Sequence, residues 1–356
     1  MHILITGICG FVGSALAVNL LDSKPGVTIT GVDNLSRPGS WVNRKKLTAL
    51  GVHVIHADIR NASDVQGIPA TEWVIDAAAN PSVLAGVDGK TSSRQLVEHN
   101  LAGTINLLEY CKKHQAGFIL LSTSRVYSIP GLSSLELQKE ENRFVPVPDQ
   151  HFPEGIGIKG VSESYSTQAP VSLYGSTKVA SEQLALEYGN TFQFPVWINR
   201  CGVLAGAGQF GHPAQGIFAF WVHSFREKNP LKYIGFNGTG YQVRDCLHPA
   251  DLVPLLNQQF SEPLHTSRQR ICNLSGGVEN SMSLAELSAW CEHRLGAHRV
   301  SSTREERPYD IGWMVLDHSL ASEQWGWQPR ITIHHVLEEI ARFAEDQPNW
   351  LELASH

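Results

Sequence analysis

Short, uninterrupted apolar runs recur along the first 200 residues, at His2–Thr6, Val27–Val32, Val52–His56, Trp73–Ala77, Phe118–Ser122 and Val196–Asn199. Between most of them the apolar positions fall at helical spacing. Leu96, Leu101, Ile105, Leu107 and Leu108 form one stripe, and Val179, Leu184 and Leu186 belong to another. A strand that is apolar throughout has both faces covered, and strands separated by helices run parallel. With right-handed crossovers, this predicts an α/β protein built on a doubly wound parallel sheet of the Rossmann type.

The rhythm breaks from Ser128 to Pro170, where Pro130, Pro146, Pro148, Pro153 and Pro170 mix with Gly155, Gly157 and Gly160. A stretch of this length is either a surface insertion or a lid over the active site. Beyond Arg200 the pattern is irregular. Gly202, Gly206, Gly208 and Gly211 crowd together, and then helices are expected near 216–227, 250–260, 284–295 and 333–344, with a short strand near 231–235. The expected organisation is a dinucleotide-binding domain over residues 1–200, with a return segment near 245–275. Residues 201–356 form mainly a smaller, mixed α/β substrate lobe. A chain of 356 residues that is 42% hydrophobic is long enough for two such lobes.

Charge and cysteine content narrow the setting. With 28 basic and 34 acidic side chains the formal charge is −6, which excludes a basic nucleic-acid footprint. No stretch is apolar enough to span a membrane, and the first strand begins at His2, so no signal peptide is expected. Cys9, Cys111, Cys201, Cys246, Cys272 and Cys291 are scattered without a Cys-x-x-Cys pair, as in a reducing, cytoplasmic setting. The histidines lack metal-ligand spacing, so no metal is expected.

Candidate chemistry begins at the first strand–helix junction. Gly7, Gly10 and Gly13 make a G-x-x-G-x-x-G turn, with Phe11 and Val12 opening the helix. Glycines there let the backbone approach a pyrophosphate, and the helix N-terminus offers it free N–H groups. The second strand ends at Asp33, followed by Asn34, Ser36 and Arg37. A carboxylate there accepts from ribose hydroxyls and repels a 2′-phosphate, favouring NAD over NADP, although Arg37 lies close by. Asp58 and Ile59 follow the third strand, at the adenine end. Ala77, Ala78 and Ala79 end the fourth strand with side chains small enough for close passage of a cofactor.

Tyr174 and Lys178 lie one helical turn apart, on one face. A phenol titrates near pH ~10, and a neighbouring cation lowers that value toward a usable base. Ser122 and Thr123 end the fifth strand, at the sheet edge where such folds bind ligands. These features together resemble the extended short-chain dehydrogenases of the NAD-dependent epimerase/dehydratase family, which act on nucleotide sugars. The resemblance implies that Thr123, Tyr174 and Lys178 are catalytic and that Ser122, Asn100 and Cys201 stand near the cofactor. It also implies that Arg244 and Arg307 bind a diphosphate, which guanidinium forks suit, and that Gln209, Gln215 and Gln242 contact sugar or base. Ser124 and Arg125 stand where dehydrating members carry Asp-Glu and where decarboxylating members carry a glutamate, so neither subclass is favoured. Val203 replaces an asparagine that binds phosphate in many members.

Asp33–Arg37, Asp58–Asn61, Gln209-Phe210, Gln215-Gly216 and Gly240–His248 resemble most the branch that inverts carbon 2 of CDP-sugars. The expected activity is an NAD-dependent epimerisation through a transient keto-sugar, in a cytoplasmic homo-oligomer. A 4-epimerase or reductase of the same family is the enzymatic alternative, and an NAD(P)-sensing binding protein the non-enzymatic one.

Overall fold

The computed structural model describes residues 1–353 apart from 88, 90, 91, 213 and 214. Seven strands form one parallel sheet: β1 (His2–Thr6), β2 (Thr28–Asp33), β3 (His53–His56), β4 (Trp73–Asp76), β5 (Gly117–Thr123), β6 (Val196–Cys201) and β7 (Ile271–Leu274). Their order is β7-β6-β5-β4-β1-β2-β3. The register pairs Ile5 with Gly31 on one side and with Ile75 on the other. The order reverses between β1 and β4, which opens a crevice at the carboxyl ends of the strands.

Helices cover both faces. Among them, α1 (Phe11–Ser23) follows β1, α2 (Gly103–His114) precedes β5, and α3 (Leu173–Phe192) precedes β6. One apolar core joins Ile3, Ile5, Leu16, Leu20, Ile119 and Trp197. The opposite face joins Leu4, Val74, Leu107, Phe118, Leu120 and Ile198. The alternation within β1 and β5 explains why these runs read as continuously apolar.

The C-terminal region is built around α4 (Ile217–Glu227), α5 (Leu284–Leu295) and α6 (Ile333–Asp346), beside a small mixed sheet. In that sheet Val243–Leu247 pairs parallel with Val203–Leu204 and Trp313–Met314, and antiparallel with Ser281–Ser283. Phe218, Trp221, Phe225, Leu287, Val336 and Ile340 form its core. Helix α5 starts on a capping box: Ser283 Oγ accepts from Glu286 N at 3.0 Å, and Ser283 N donates to Glu286 Oε2 at 2.8 Å.

Two further features position these regions. The chain returns to the large sheet not only through β7 but again through Ser319–Trp325, whose Ala321 and Trp325 pack in the same core as Trp197. The segment 128–170 is a packed insertion and not a lid. It carries a short helix (Ile129–Ser133) and two hairpins (Leu137–Glu140 with Arg143–Pro146, and Ile156–Gly157 with Gly160–Val161). Leu132, Leu135, Ile156, Val161 and Tyr165 share a core with Val243, Trp313 and Leu316. Arg143 Nη2 donates to the Ser281 carbonyl at 2.9 Å. None of its described residues lines the cavity that holds the candidate chemistry.

Candidate active site

A cavity of about 670 Å³ runs from the glycine loop after β1 to the Arg307–Asp310 segment of the C-terminal region. At one end the chain is shaped for close approach of a ligand. Gly7 has φ +61°, and a Cβ there would meet the Ala78 backbone at 3.0 Å. A Cβ on Gly13 would fall well inside contact with the Gly7 carbonyl. Ala77 N and Ala78 N donate to Thr6 Oγ1 at 3.1 and 3.0 Å, which holds β4's end against β1. The N-terminus of α1 faces this end, capped by Gly10 with no side-chain bond, so its N–H groups stay available to an anion.

Asp33 lines the cavity and also fastens the loop. Its Oδ2 accepts from Cys9 N at 2.9 Å and its Oδ1 from Leu35 N at 2.8 Å. Burial raises its pKa, and these backbone donors oppose the rise. Asn34 Nδ2 donates to Asp58 Oδ2 at 3.1 Å, and Arg60 holds the Asp58 carboxyl well below the usual carboxylate range. Arg37 is committed elsewhere: it donates to Gln215 Oε1 at 2.9 Å and to the Phe210 carbonyl at 2.6 Å. Phe11, Val12, Ser36, Ile59, Ala77, Ala78 and Ala79 line the same end of the cavity.

Midway, α3 brings Tyr174 and Lys178 to the end of β5. Ser172, at φ +80°, caps α3 by accepting from Gly175 N at 3.1 Å. Gly175 matters for a different reason. A Cβ there would fall well inside contact with the Arg125 carbonyl oxygen. The missing side chain lets α3 lie directly against the Ser124–Val126 turn, which brings the Tyr174 phenol beside the Thr123 side chain. Burial pushes the Tyr174 phenol up to about 12, with the Thr123 hydrogen bond and the Arg125 charge opposing. The opposing groups are thus Thr123 and Arg125, where the sequence pointed to Lys178. Lys178 Nζ donates to the Leu121 carbonyl at 3.2 Å. Burial lowers its pKa, while Asp76 and Glu182 counter this.

Of three further sequence candidates, Ser122 and Cys201 lie on the cavity wall and Asn100 does not. Asn100 is buried and off the cavity wall; its Nδ2 donates to the Asn80 carbonyl at 3.1 Å and to Thr177 Oγ1 at 3.2 Å, bracing the loop after β4 against α3. Ser122 lies on the wall, but its hydroxyl donates to Glu182 Oε1 at 2.5 Å. Glu182 is paired with Arg200 at 2.6 Å in a buried network that reaches Tyr127 and Asn273. Cys201 lines the cavity, and burial pushes its thiol up to about 12.

At the far end lie Gln209, Gln215, Gln242, Arg244 and Arg307. Arg244 Nη2 meets Asp310 Oδ1 at 3.2 Å, and its Nη1 donates to the Val243 and Ile311 carbonyls at 2.7 and 2.8 Å. The Gln242 amide nitrogen donates to the Ile234 carbonyl and Asp310 Oδ2, and that of Gln209 donates to the Leu204 carbonyl. These partners fix both amides with Oε1 buried and, among the described residues, without a hydrogen-bond partner. Sequence reasoning overlooked Arg125 as a binding residue, although it lines the cavity between Thr123 and Arg307. No cluster of metal-ligating side chains occurs among the described residues.

The profile of the NAD dependent epimerase/dehydratase family matches residues 3–273. The chain belongs to that family. Its members' cofactor, NAD, fits the cradle formed by the glycine loop, Asp33 and the α1 N-terminus, and this epimerase-family chain is an NAD-dependent enzyme. It is 31% identical over 344 residues to the CDP-paratose 2-epimerase of Salmonella typhi, covering 93% of this chain and 96% of that one. It is 25% identical to the UDP-glucuronate 4-epimerase of Thermodesulfobacterium geofontis, covering 97% and 96%. The UDP-glucose 4-epimerase of Bifidobacterium longum, solved in complex with NAD+ and UDP, superposes with a TM-score of 0.78 at 20% identity, covering 98% of this chain and 100% of that one. No described helix is long and apolar enough to cross a membrane.

Proposed function

We propose that this family member inverts carbon 2 of a CDP-linked deoxy sugar, as a CDP-paratose/CDP-tyvelose 2-epimerase does. The observation that carries this reading is the 31% identity, sustained over 93% of the chain, to a protein of that activity. Two features of the cavity support it. Gln209 Oε1 and Gln242 Oε1 are buried acceptors that want an N–H or O–H donor. The cytosine 4-amino group is such a donor at the place where uracil presents a carbonyl. The described carboxylates on the wall are Asp33, Asp58 and Asp310. The first two stand at the dinucleotide end, and Asp310 is engaged by Arg244 and Gln242. No carboxylic acid stands beside Thr123 to protonate a leaving hydroxyl, which favours epimerisation over dehydration.

In this reading Thr123 Oγ1 and the Tyr174 phenol hold the sugar hydroxyl at the carbon to be inverted. NAD, when bound, supplies reversible hydride acceptance and donation. Tyr174 takes the hydroxyl proton as the carbon is oxidised, and returns it after the sugar has turned its other face. Lys178, fixed through the Leu121 carbonyl one turn from Tyr174, would hold the nicotinamide ribose, while the Arg125 charge favours the Tyr174 phenolate. Arg244 and Arg307 anchor the diphosphate, so the sugar can rotate without leaving.

Incubating purified protein with CDP-, UDP-, GDP- and dTDP-sugars, and reading product configuration by NMR, tests the reading. Inversion confined to the CDP-sugar is expected. Turnover of UDP-sugars at carbon 4 alone would replace it with a 4-epimerase.

A further inference from the structure

Arg125 lies two residues beyond Thr123, in the Ser124–Val126 turn that α3 packs against, and lines the cavity. A guanidinium carries five N–H donors. Among the described residues, the Arg125 side chain makes one hydrogen bond, from Nη1 to the Tyr309 carbonyl at 3.4 Å. That is long for an N–H···O bond and leaves most of its donors unengaged. The Tyr309 backbone is left-handed, at φ +58°, in the segment that also carries Arg307 and Asp310. Arg125 therefore links the end of β5, where the reacting hydroxyl would be held, to the anion-binding segment of the C-terminal region.

Arg125, Arg244 and Arg307 lie close enough to repel one another, with Asp310 the counter-charge among them. Asp245 also counters Arg244, and Asp310 is shared between Arg125 and Arg244 rather than dedicated to either. Arg244 has its fork filled by Asp310 and by two backbone carbonyls. Arg125 has no carboxylate hydrogen-bonded to it among the described residues. Its neighbours toward the reacting end are Thr123 and Tyr174, and toward the other end Arg244 and Arg307. A group held there lies between the sugar and the nucleotide.

We propose that Arg125 is a substrate-binding residue that grips the sugar-side phosphate of a nucleoside diphosphate sugar, completing a three-guanidinium cradle with Arg244 and Arg307. The proposal rests on the nucleotide-sugar reading above. A diphosphate brings negative charge to the largely unengaged Arg125 fork, and a planar fork suits its non-bridging oxygens. Because Arg125 is tied to the Thr123 turn, gripping that phosphate also sets how far the sugar reaches toward Tyr174.

The test is calorimetric titration of the holoenzyme with CDP and with CMP, which share base and ribose and differ in the second phosphate. Arg125→Met is expected to weaken CDP by about 10- to 100-fold, the worth of a charge-assisted contact, and to change CMP little. Arg125→Lys keeps the charge but loses the fork, so a smaller, CDP-specific loss is expected. Retained NAD and an unchanged melting temperature establish that each variant is folded. Equal losses for CDP and CMP, no change in either, or unaltered CDP affinity with weakened CDP-sugar binding would each overturn the assignment. If the wild type prefers another base, the same diphosphate–monophosphate pair of that base is used. That outcome defeats the cytidine reading and still decides the role of Arg125.

Discussion

A methyl group on Gly175 would collide with the Arg125 carbonyl, because α3 lies directly on the turn after β5. That contact sets the Tyr174 phenol beside Thr123, so Gly175→Ala should move the base away from the hydroxyl it serves. Turnover is expected to fall by about 10- to 100-fold, as misplacements of ~1 Å do, in steady-state assays; wild-type turnover would mean that the turn moves together with the helix. Tyr174→Phe should cost more, about 10²- to 10⁴-fold, with substrate binding nearly unchanged. Tyr174 and Lys178 were legible from their helical spacing, and the hydroxyls of Ser122, Thr123 and Ser124 from a strand end; Thr123 was singled out among them by the family resemblance. Ser122 lies on the cavity wall, and its hydroxyl bond to Glu182 was not legible because that partner is 60 residues away. Arg125 was passed over as a binding residue because its meaning depends on Arg244 and Arg307, which only the folded chain brings beside it.

Among the elements, the β1–α1 loop and the end of β2 act as one unit, joined through Asp33 to Cys9 and Leu35. Arg37 joins that unit to the 209–216 segment of the C-terminal region. Asp33→Asn keeps the acceptor for one backbone donor and removes the charge that opposes a 2′-phosphate. The preference for NAD over NADP should therefore fall by about tenfold or more in titrations of dinucleotide-free protein. An unchanged preference would assign Asp33 to the loop alone. Strands β1 to β6 were legible to within a residue or two, because a doubly covered strand must be apolar throughout, whereas β7 fell only within the expected return segment near 245–275. The insertion at 128–170 was not. Its hairpins bury residues against Val243 and Trp313, more than 80 positions further along the chain, and no local pattern reports such a partner.

At the scale of the molecule, the two regions are interlocked and not merely hinged, since β7 and Ser319–Trp325 both return to the large sheet. Asp245 sits where these threads meet. It accepts from Ser275 Oγ and from the backbone of Leu316 and Val203, and burial pushes its carboxyl up to about 6 from an ordinary value of 3.8. As pH rises through that interval the unfolded chain releases this proton first, so the contribution of Asp245 to stability falls between about pH 4 and pH 6 and then levels off. Asp245→Asn should flatten that part of a melting-temperature profile; an unaltered slope would assign the pH dependence to other groups.

The same interlocking encloses the cavity in which carbon 2 would be inverted. That carbon has no neighbouring carbonyl in the starting sugar, so removing its hydrogen as a proton would leave a carbanion that no side chain on the wall stabilises. The most direct measurement is to incubate the holoenzyme with a CDP-sugar deuterated at carbon 2 and read the product by NMR. Inversion at carbon 2 with the deuterium still on that carbon is expected. Inversion at carbon 4, or complete loss of the label from carbon 2 to ordinary water, would contradict it.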